Sequence, residues 1–391
     1  MKKIVYIGGF ELPDKNAAAQ RVSSNAKLLR AAGYPVEIIG VDTDISFEDG
    51  LMSSDSENIS VLAYPGSKSE WVRYLFGRKT LISHLISQAG DIGVIVFYNY
   101  PSLATWRIIR QLRNHKIKVL LDITEWYSSR GNGLVFSAIK WLDTNLRINL
   151  LSKGVDGIIT TSSYMSDYYR SRSKLVLELP TLYDTHQFIC PNIDSSDLVK
   201  LVYAGNPFDI SRASKDRNSV KERLDILVTS LCELSNEKEF ELSIYGVSKK
   251  DYLTVYPEHA ALLQKNGDRV CFKGKRPFTE VIENIRCCHF SVFFRDENQI
   301  TLAGFPSKLA ESMSLGTPVI TSSLSNNKKF ESLVGLFLAD HGQEKSILGK
   351  CIDMPQEEII SLKKAVFEEK AFDFREYLAP TKEFFDQLHG D

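Results

Sequence analysis

A chain of 391 residues is too long for one ordinary α/β core, so two domains are expected. With 43% hydrophobic and 25% charged residues it has an ordinary globular balance, and a net charge of −1 gives no global bias toward nucleic acid or an anionic membrane. The six cysteines lack C-x-x-C spacing and the seven histidines are scattered, so neither type suggests a metal site; reduced, buried thiols of a cytosolic protein are expected.

The first apolar run, residues 4–7, meets Gly8 and Gly9 after four residues. A signal peptide needs an apolar region of roughly 7–15 residues and a membrane span about 20. The expectation is a cytoplasmic protein, at most peripheral at the inner face of a membrane. Further apolar runs at 36–41, 59–63, 92–98, 119–123, 157–161 and 175–179 read as strands, and a helical pattern such as 20–32 separates most of them. This alternation predicts an α/β fold with a parallel sheet covered on both faces.

Several N-terminal features bear on chemistry. Gly8 and Gly9 end the first strand, with Gly9 a candidate ligand contact, although G-x-G-x-x-G is absent and a dinucleotide reading is weak. The small residues of the following loop, Lys15 through Arg21, allow the same approach, and helix-favouring alanines explain them equally well. Asp42-Thr43-Asp44 mimics a metal-binding D-x-D but reads as a turn. Trp71, Arg73, Tyr74, Phe76, Arg78 and Lys79 lie within 69–88, which suits either an interfacial helix meeting a lipid-linked acceptor or a core helix with a snorkelling basic edge. Asp122 and Glu125 stand at the end of a strand, where one of them could act as a base toward an acceptor hydroxyl; a turn-capping Asp122 is the alternative.

The rhythm breaks at 183–197 and restarts with strands at 201–204, 240–245, 270–272, 290–294, 319–321 and 336–338. Domains of 1–185 and 198–371 are therefore expected, with an aromatic amphipathic helix at about 372–391 crossing back to the first. The most informative stretch is 304–320. Pro306 suits the first helical position and Gly316 the C′ position, with Pro318 preventing continuation. The N–H groups of Ser307 and Lys308 then face a pyrophosphate at the positive end of the helix dipole. Glu311 lies about 7.5 Å along that helix, at ~1.5 Å per residue, a depth that suits a carboxylate accepting from ribose hydroxyls. Gly205, Gly246 and Gly274 each end a strand and would line one crevice. Between the first two lies a polar loop with Arg212, Lys215, Arg217, Lys221 and Arg223, of which Lys215 is the first choice and Lys221 the second for neutralising a diphosphate leaving group.

Tyr203-Ala204-Gly205, Lys215-Asp216, Ile244-Tyr245-Gly246, Phe272-Lys273-Gly274, and the block from Pro306 through Glu311 to Gly316-Thr317-Pro318, taken in order, resemble the donor half of family 4 retaining glycosyltransferases. More loosely, 153–162 and 179–188 resemble the segments leading into that family's interdomain linker. The resemblance implies a GT-B architecture, two Rossmann-like domains facing across an interdomain cleft that closes on a nucleoside-diphosphate sugar. It places the Lys215 position at the diphosphate, the backbone of Ser307 and Lys308 at the phosphates, and Glu311 at the ribose. It also implies transfer with retention, no metal and no cofactor beyond the donor substrate. Two positions depart from the pattern: Ala303 stands where a donor-sugar Glu is common, and the place of an N-domain His offers Asp122 and Glu125.

The expected function is transfer of a sugar to a carbohydrate or lipid-linked acceptor hydroxyl, in polysaccharide or glycoconjugate biosynthesis, with no nucleic-acid partner and with 69–88 as the membrane contact. The alternatives are a catalytically silent binding subunit that partners an active transferase, motivated by Ala303 and the missing His, or a nucleotide-sugar epimerase.

Overall fold

The computed structural model describes residues 2–12, 17–47, 50–54, 58–126, 134–190, 198–217 and 220–390, with side chains from 137 onward in the segment starting at 134. Lys15, Asn16 and residues 191–197, part of the expected domain boundary, lie outside the described residues. The chain divides into two compact units: 1–182 with 303–305 and 374–391, and 183–302 with 306–373.

The first unit holds an eight-stranded sheet of order β3-β4-β2-β1-β5-β6-β7-β8. Its strands are β1 (Lys3–Glu11), β2 (Val36–Asp42), β3 (Leu51–Ser54), β4 (Ile59–Ala63), β5 (Ile92–Tyr98), β6 (Lys118–Ile123), β7 (Gly157–Thr160) and β8 (Leu175–Glu178). All pairs are parallel except β3 with β4. The helices are α1 (Ala17–Ala31), α2 (Lys68–Leu75), α3 (Lys79–Ser87), α4 (Ser102–Leu112), α5 (Leu134–Asn145) and α6 (Ser163–Arg170), followed much later by Leu378–Gly390. Strand alternation sends successive side chains to opposite faces. Val5 and Ile7 of β1 pack with Tyr74, Leu81 and Ile108 of α2 to α4, whereas Ile4 and Tyr6 pack with Val22 of α1 and Phe385 of the last helix. Each such burial contributes about 1.5–3 kcal/mol.

The second unit has six parallel strands, β9 (Val199–Ala204), β10 (Phe240–Tyr245), β11 (Val270–Gly274), β12 (Phe290–Phe293), β13 (Val319–Ser322) and β14 (Leu336–Ala339). Their order, β11-β10-β9-β12-β13-β14, reverses between β9 and β12. Such a switch point opens a crevice at the carboxyl ends of the strands. Buried Lys363 braces the unit: it donates to the carbonyls of Arg286 (3.0 Å) and Cys288, and burial pushes its ammonium down to about 8.

The structure departs from the sequence reading in four places. The edge strand β3 has only Leu51 and Met52 as apolar residues and carries little signal. β1 runs past the glycines to Glu11 after a register shift beyond Ile7. The stretch 69–88 is two helices, divided at Gly77, whose φ of +83° stops α2. Of the six cysteines only Cys232, Cys288 and Cys351 are buried, while Cys190 and Cys287 are exposed. Asp42-Thr43-Asp44 is a turn, closed by the Asp44 N–H donating to Asp42 Oδ1 at 2.9 Å.

Candidate functional site

The helix Ser307–Ser314 follows β12 and sits beside the switch point. Pro306 is its N-cap (φ −74°, ψ 99°), so the helix starts one residue later than the proline rule suggests. Its far end is as expected. Gly316 is left-handed at φ +75°, its N–H donates to Met313 O (3.0 Å), and Thr317 N–H donates to Ser312 O (2.9 Å).

The side chain of Lys308 turns back from this helix toward β9. A Cβ on Gly205 would lie 2.3 Å from Lys308 Cε, so the glycine makes room for this lysine as well as permitting a backbone φ of +151°. Lys308 Nζ pairs with Glu222 Oε2 and stands 4.8 Å from the Tyr203 ring centroid. Glu222 is buried and also accepts from Arg295 Nη2 at 2.6 Å and from the Tyr203 hydroxyl. Burial works to raise the Glu222 carboxyl, yet Lys308 and Arg295 together hold it well below the usual carboxylate range. Burial depresses the Lys308 ammonium, against the pull of Glu222, and the neighbouring charges of Arg295 and Lys221 depress it further. One carboxylate thus fixes two cations between the ends of β9 and β12.

The three strand-end glycines come together as a ladder. Gly205 N–H donates to Tyr245 O (3.1 Å), and Gly246 N–H donates to Gly274 O (2.8 Å). Gly246 (φ +96°) is so close to its neighbour that a Cβ would lie 2.1 Å from Gly205 O. Glu311 is partly exposed, and the Tyr183 hydroxyl hydrogen-bonds to it. Burial pushes the Glu311 carboxyl up to about 7, against the Lys308 charge and that hydrogen bond. Near neutrality it is therefore divided between acid and carboxylate.

The polar loop after β9 sorts its cations by partner. Arg212 pairs with Asp209, Arg217 with Glu258, and Arg223 with both Asp225 and Asp296. Lys215 is exposed and its side chain has no ion pair or hydrogen bond among the described residues. Lys221, the second choice, is close enough to Lys308 to lower its basicity. A cavity of about 350 Å³ opens at the ends of β12 to β14, with Arg295 in its wall beside Asp296, Glu297 and Glu344. The lining thus sets three carboxylates beside Arg295 and His341.

The first unit corrects one expectation. Asp122 is fully buried, with Arg21 Nη2 at 2.9 Å and Arg21 Nε at 3.2 Å, and the Tyr6 hydroxyl donates to it. A carboxylate enclosed in this way is not placed to take a proton from an acceptor. Glu125 is half-buried, Gly9 lies on the surface within β1, and a Cβ on Gly9 would lie 2.8 Å from Tyr74 Oη. Ala17 to Ala19 are the first residues of α1, not a loop. Ala303 is completely buried, and its carbonyl accepts from Ser162 Oγ at 2.9 Å.

Glu222, Arg295, Tyr203 and Tyr183 were missed by motif reading. The available signal was only a charged residue near an apolar stretch, Glu222 within Lys221-Glu222-Arg223 before Leu224 and Arg295 directly after 290–294. That pattern is too common to select them.

Two parallel-sheet α/β units of Rossmann type make this the fold of GT-B glycosyltransferases, and solved structures resemble it along its whole length. Anabaena HepE, solved with UDP and glucose, matches with a TM-score of 0.64 at 13% identity, covering 99% of this chain and 100% of its own. Sucrose-phosphate synthase from Thermosynechococcus elongatus matches at 0.67 and 16% identity, covering 100% of both chains. The pneumococcal O-GlcNAc transferase GtfA, solved with UDP and GlcNAc, matches at 0.59 and 11%, again over 100% of both. By sequence, residues 213–354 match the family described as glycosyl transferases group 1, a stretch that includes Lys215, Glu222, Arg295, Lys308 and Glu311. No curated protein matches the chain in sequence.

Proposed function

We propose that the protein is a retaining glycosyltransferase that takes a sugar from a nucleoside-diphosphate donor, with the diphosphate at the Gly205–Lys308 side of the second unit. The observation that carries this is the Glu222 cluster, which fixes two cations beside a helix N-terminus at the switch point. The group 1 glycosyltransferase match over the same residues supports it.

In this reading Lys308 and Lys221 meet the diphosphate together with the N–H groups of Ser307 and Lys308, and Glu222 is a positioning residue. The ladder of Gly205, Gly246 and Gly274 admits the nucleotide, with Pro306 setting the helix start. Glu311, as a carboxylate, accepts from the ribose. Lys215 becomes a lesser contact. The anomeric carbon–oxygen bond to the diphosphate breaks, and its electron pair goes to the leaving phosphate. The acceptor oxygen bonds the anomeric carbon on the same face, and its proton passes to a leaving phosphate oxygen. Charge grows on the leaving group as that bond breaks, where fixed cations act most strongly. No metal is needed in this scheme. HepE and GtfA were solved with UDP, so a uridine donor is the first choice. The acceptor is a carbohydrate or lipid-linked hydroxyl in glycoconjugate assembly, and the site of action is cytoplasmic.

A thermal-shift panel of uridine, guanosine, cytidine and thymidine diphosphates and their sugars tests this. Ligand at about 100 Kd adds about 2.7 kcal/mol to folded-state stability, a shift of several degrees in Tm. An unchanged Tm with every nucleotide would sink the proposal. A second reading, a silent subunit, is favoured by the buried Ala303, which offers no carboxyl to a donor sugar. Nucleotide-sugar hydrolysis or transfer by the isolated chain excludes it. Turnover of a nucleotide sugar without an acceptor would instead point to an epimerase.

A further inference from the structure

The cavity at the carboxyl ends of β12 to β14 has no part in the placement of the diphosphate at Lys308. Its volume of about 350 Å³ is at the small end of the range for ligand sites, and its whole lining belongs to the second unit. Part of that lining is apolar. Ile226 comes from the helix Leu224–Leu234, Phe294 follows β12, Leu324 follows β13 and Ala339 ends β14.

The polar groups of the lining differ in how well they are matched. Asp296 accepts from Arg223 Nη1 at 2.9 Å, and Glu297 Oε2 accepts from the Ser325 N–H at 3.2 Å. Ser322 Oγ accepts from the Arg295 N–H at 2.8 Å. Glu344, in the first turn of the helix Glu344–Ile352, has no comparable donor. Its side chain is 10% exposed, and His341 Nδ1 stands 4.0 Å from its Oε1, beyond hydrogen-bond length. No hydrogen bond reaches the Glu344 carboxyl among the described residues. Arg295 is nearly as enclosed: with Nη2 given to Glu222, its buried Nε–H has no partner among the described residues. A carboxylate nine-tenths buried without donors is costly unless a guest supplies them.

We infer that this cavity is a second ligand site of the unit, separate from the diphosphate seat, and that it takes one neutral sugar ring. Neighbouring sugar hydroxyls donate to the two oxygens of one carboxylate and keep lone pairs with which to accept. Glu344 is that carboxylate, and Arg295, His341 and the Ser323 hydroxyl line the same cavity as donors. The C–H face of the ring packs on Phe294 and Leu324. An ammonium group would answer Glu344 equally well but would stand in the same cavity as the Arg295 guanidinium, and a phosphate would set its charge against Glu344. Arg295 also bonds Glu222, so the two sites adjoin, yet Glu344 serves the sugar site alone. The inference does not depend on the transferase reading.

The test is a saturation-transfer NMR titration of the full chain with D-glucose, D-galactose, D-mannose and N-acetyl-D-glucosamine, and with ethylammonium chloride. Nucleotide is absent throughout, so a failed diphosphate placement leaves the result untouched. The expected result is a Kd on the order of 1 mM or tighter for at least one sugar, and no saturable binding of ethylammonium. Glu344→Gln keeps the side chain's shape, removes its charge and weakens that sugar by about tenfold. Ile226→Trp fills the cavity and abolishes binding; should it unfold, Glu344→Gln carries the test alone. Absence of saturable binding for all four sugars overturns the inference. So does sugar binding that Glu344→Gln retains at full strength, which places it elsewhere, or ethylammonium binding in place of the sugars, which makes the guest a cation.

Discussion

Each unit buries a carboxylate beside a tyrosine and an arginine, and the two carboxylates are used differently. In the first unit Asp122 is closed in by Arg21, whose side chain is 3% exposed, and by Tyr6 and Asn25. In the second, Glu222 holds an equally buried Arg295, but its other cation, Lys308, keeps 15% of its side chain exposed beside a strand-end glycine. An ion pair sealed from water mainly fixes packing, whereas one with a cation at the surface presents charge to a ligand. The difference lies in which partners reach the surface, not in the carboxylates themselves.

The largest expected effect is on the sealed pair. Asp122→Asn leaves Arg21 buried without its anion and should cost about 3–5 kcal/mol in urea unfolding. A variant that unfolds like wild type but fails to turn over would make Asp122 a catalytic group and erase the contrast. Next comes Gly246→Ala. Its Cβ meets the Gly205 carbonyl and its φ disfavours any side chain, so a loss of about 2–3 kcal/mol is expected from chemical denaturation.

Glu311 has the third-largest expected effect, and its sign is informative. Its folded-state value of about 7 exceeds the ordinary glutamate value of 4.5, so the folded protein holds that proton more tightly than the unfolded chain. Stability from this group is full below pH 4.5, falls as the pH rises to about 7, and is level above. Glu311→Gln should remove that decline and raise stability at pH 8 by about 1–3 kcal/mol, while weakening nucleotide binding. UDP affinity of the wild type should rise from pH 6 to 8 and that of Glu311→Gln should not; parallel pH profiles would remove Glu311 from the ribose. The smallest effect is for Lys215→Met, with UDP affinity expected within about threefold of wild type because an exposed, unpaired lysine contributes little. A tenfold loss there would return Lys215 to the diphosphate and weaken the role of Lys308.

Most of the fold was legible because its strands are apolar runs of ordinary length bounded by glycines and polar turns, as in 92–98 or 240–245. The helix after β12 was legible for the same local reason, its proline and glycine stops. Site assembly was not. Glu222 finds Tyr203 nineteen residues away, Arg295 seventy-three and Lys308 eighty-six, and no local pattern encodes those distances. Sequence reading put weight on the backbone of Lys308 and passed over its side chain, since only the bare Gly205 lets that side chain reach β9. Asp122 misled for a similar reason. Its partner Arg21 is 101 residues distant and was read only as the end of the loop that starts at Lys15.

The contrast between a sealed and an open cluster rests most directly on what Lys308 touches. Isothermal titration of UDP and of uridine into wild type and Lys308→Met separates the diphosphate from the nucleoside. The expected result is at least about tenfold weaker UDP binding in the variant, the scale of a charge-assisted hydrogen bond of about 1.5–3 kcal/mol, with uridine nearly unchanged. Equal losses for both ligands, or no loss for UDP, would contradict the placement of a diphosphate at Lys308.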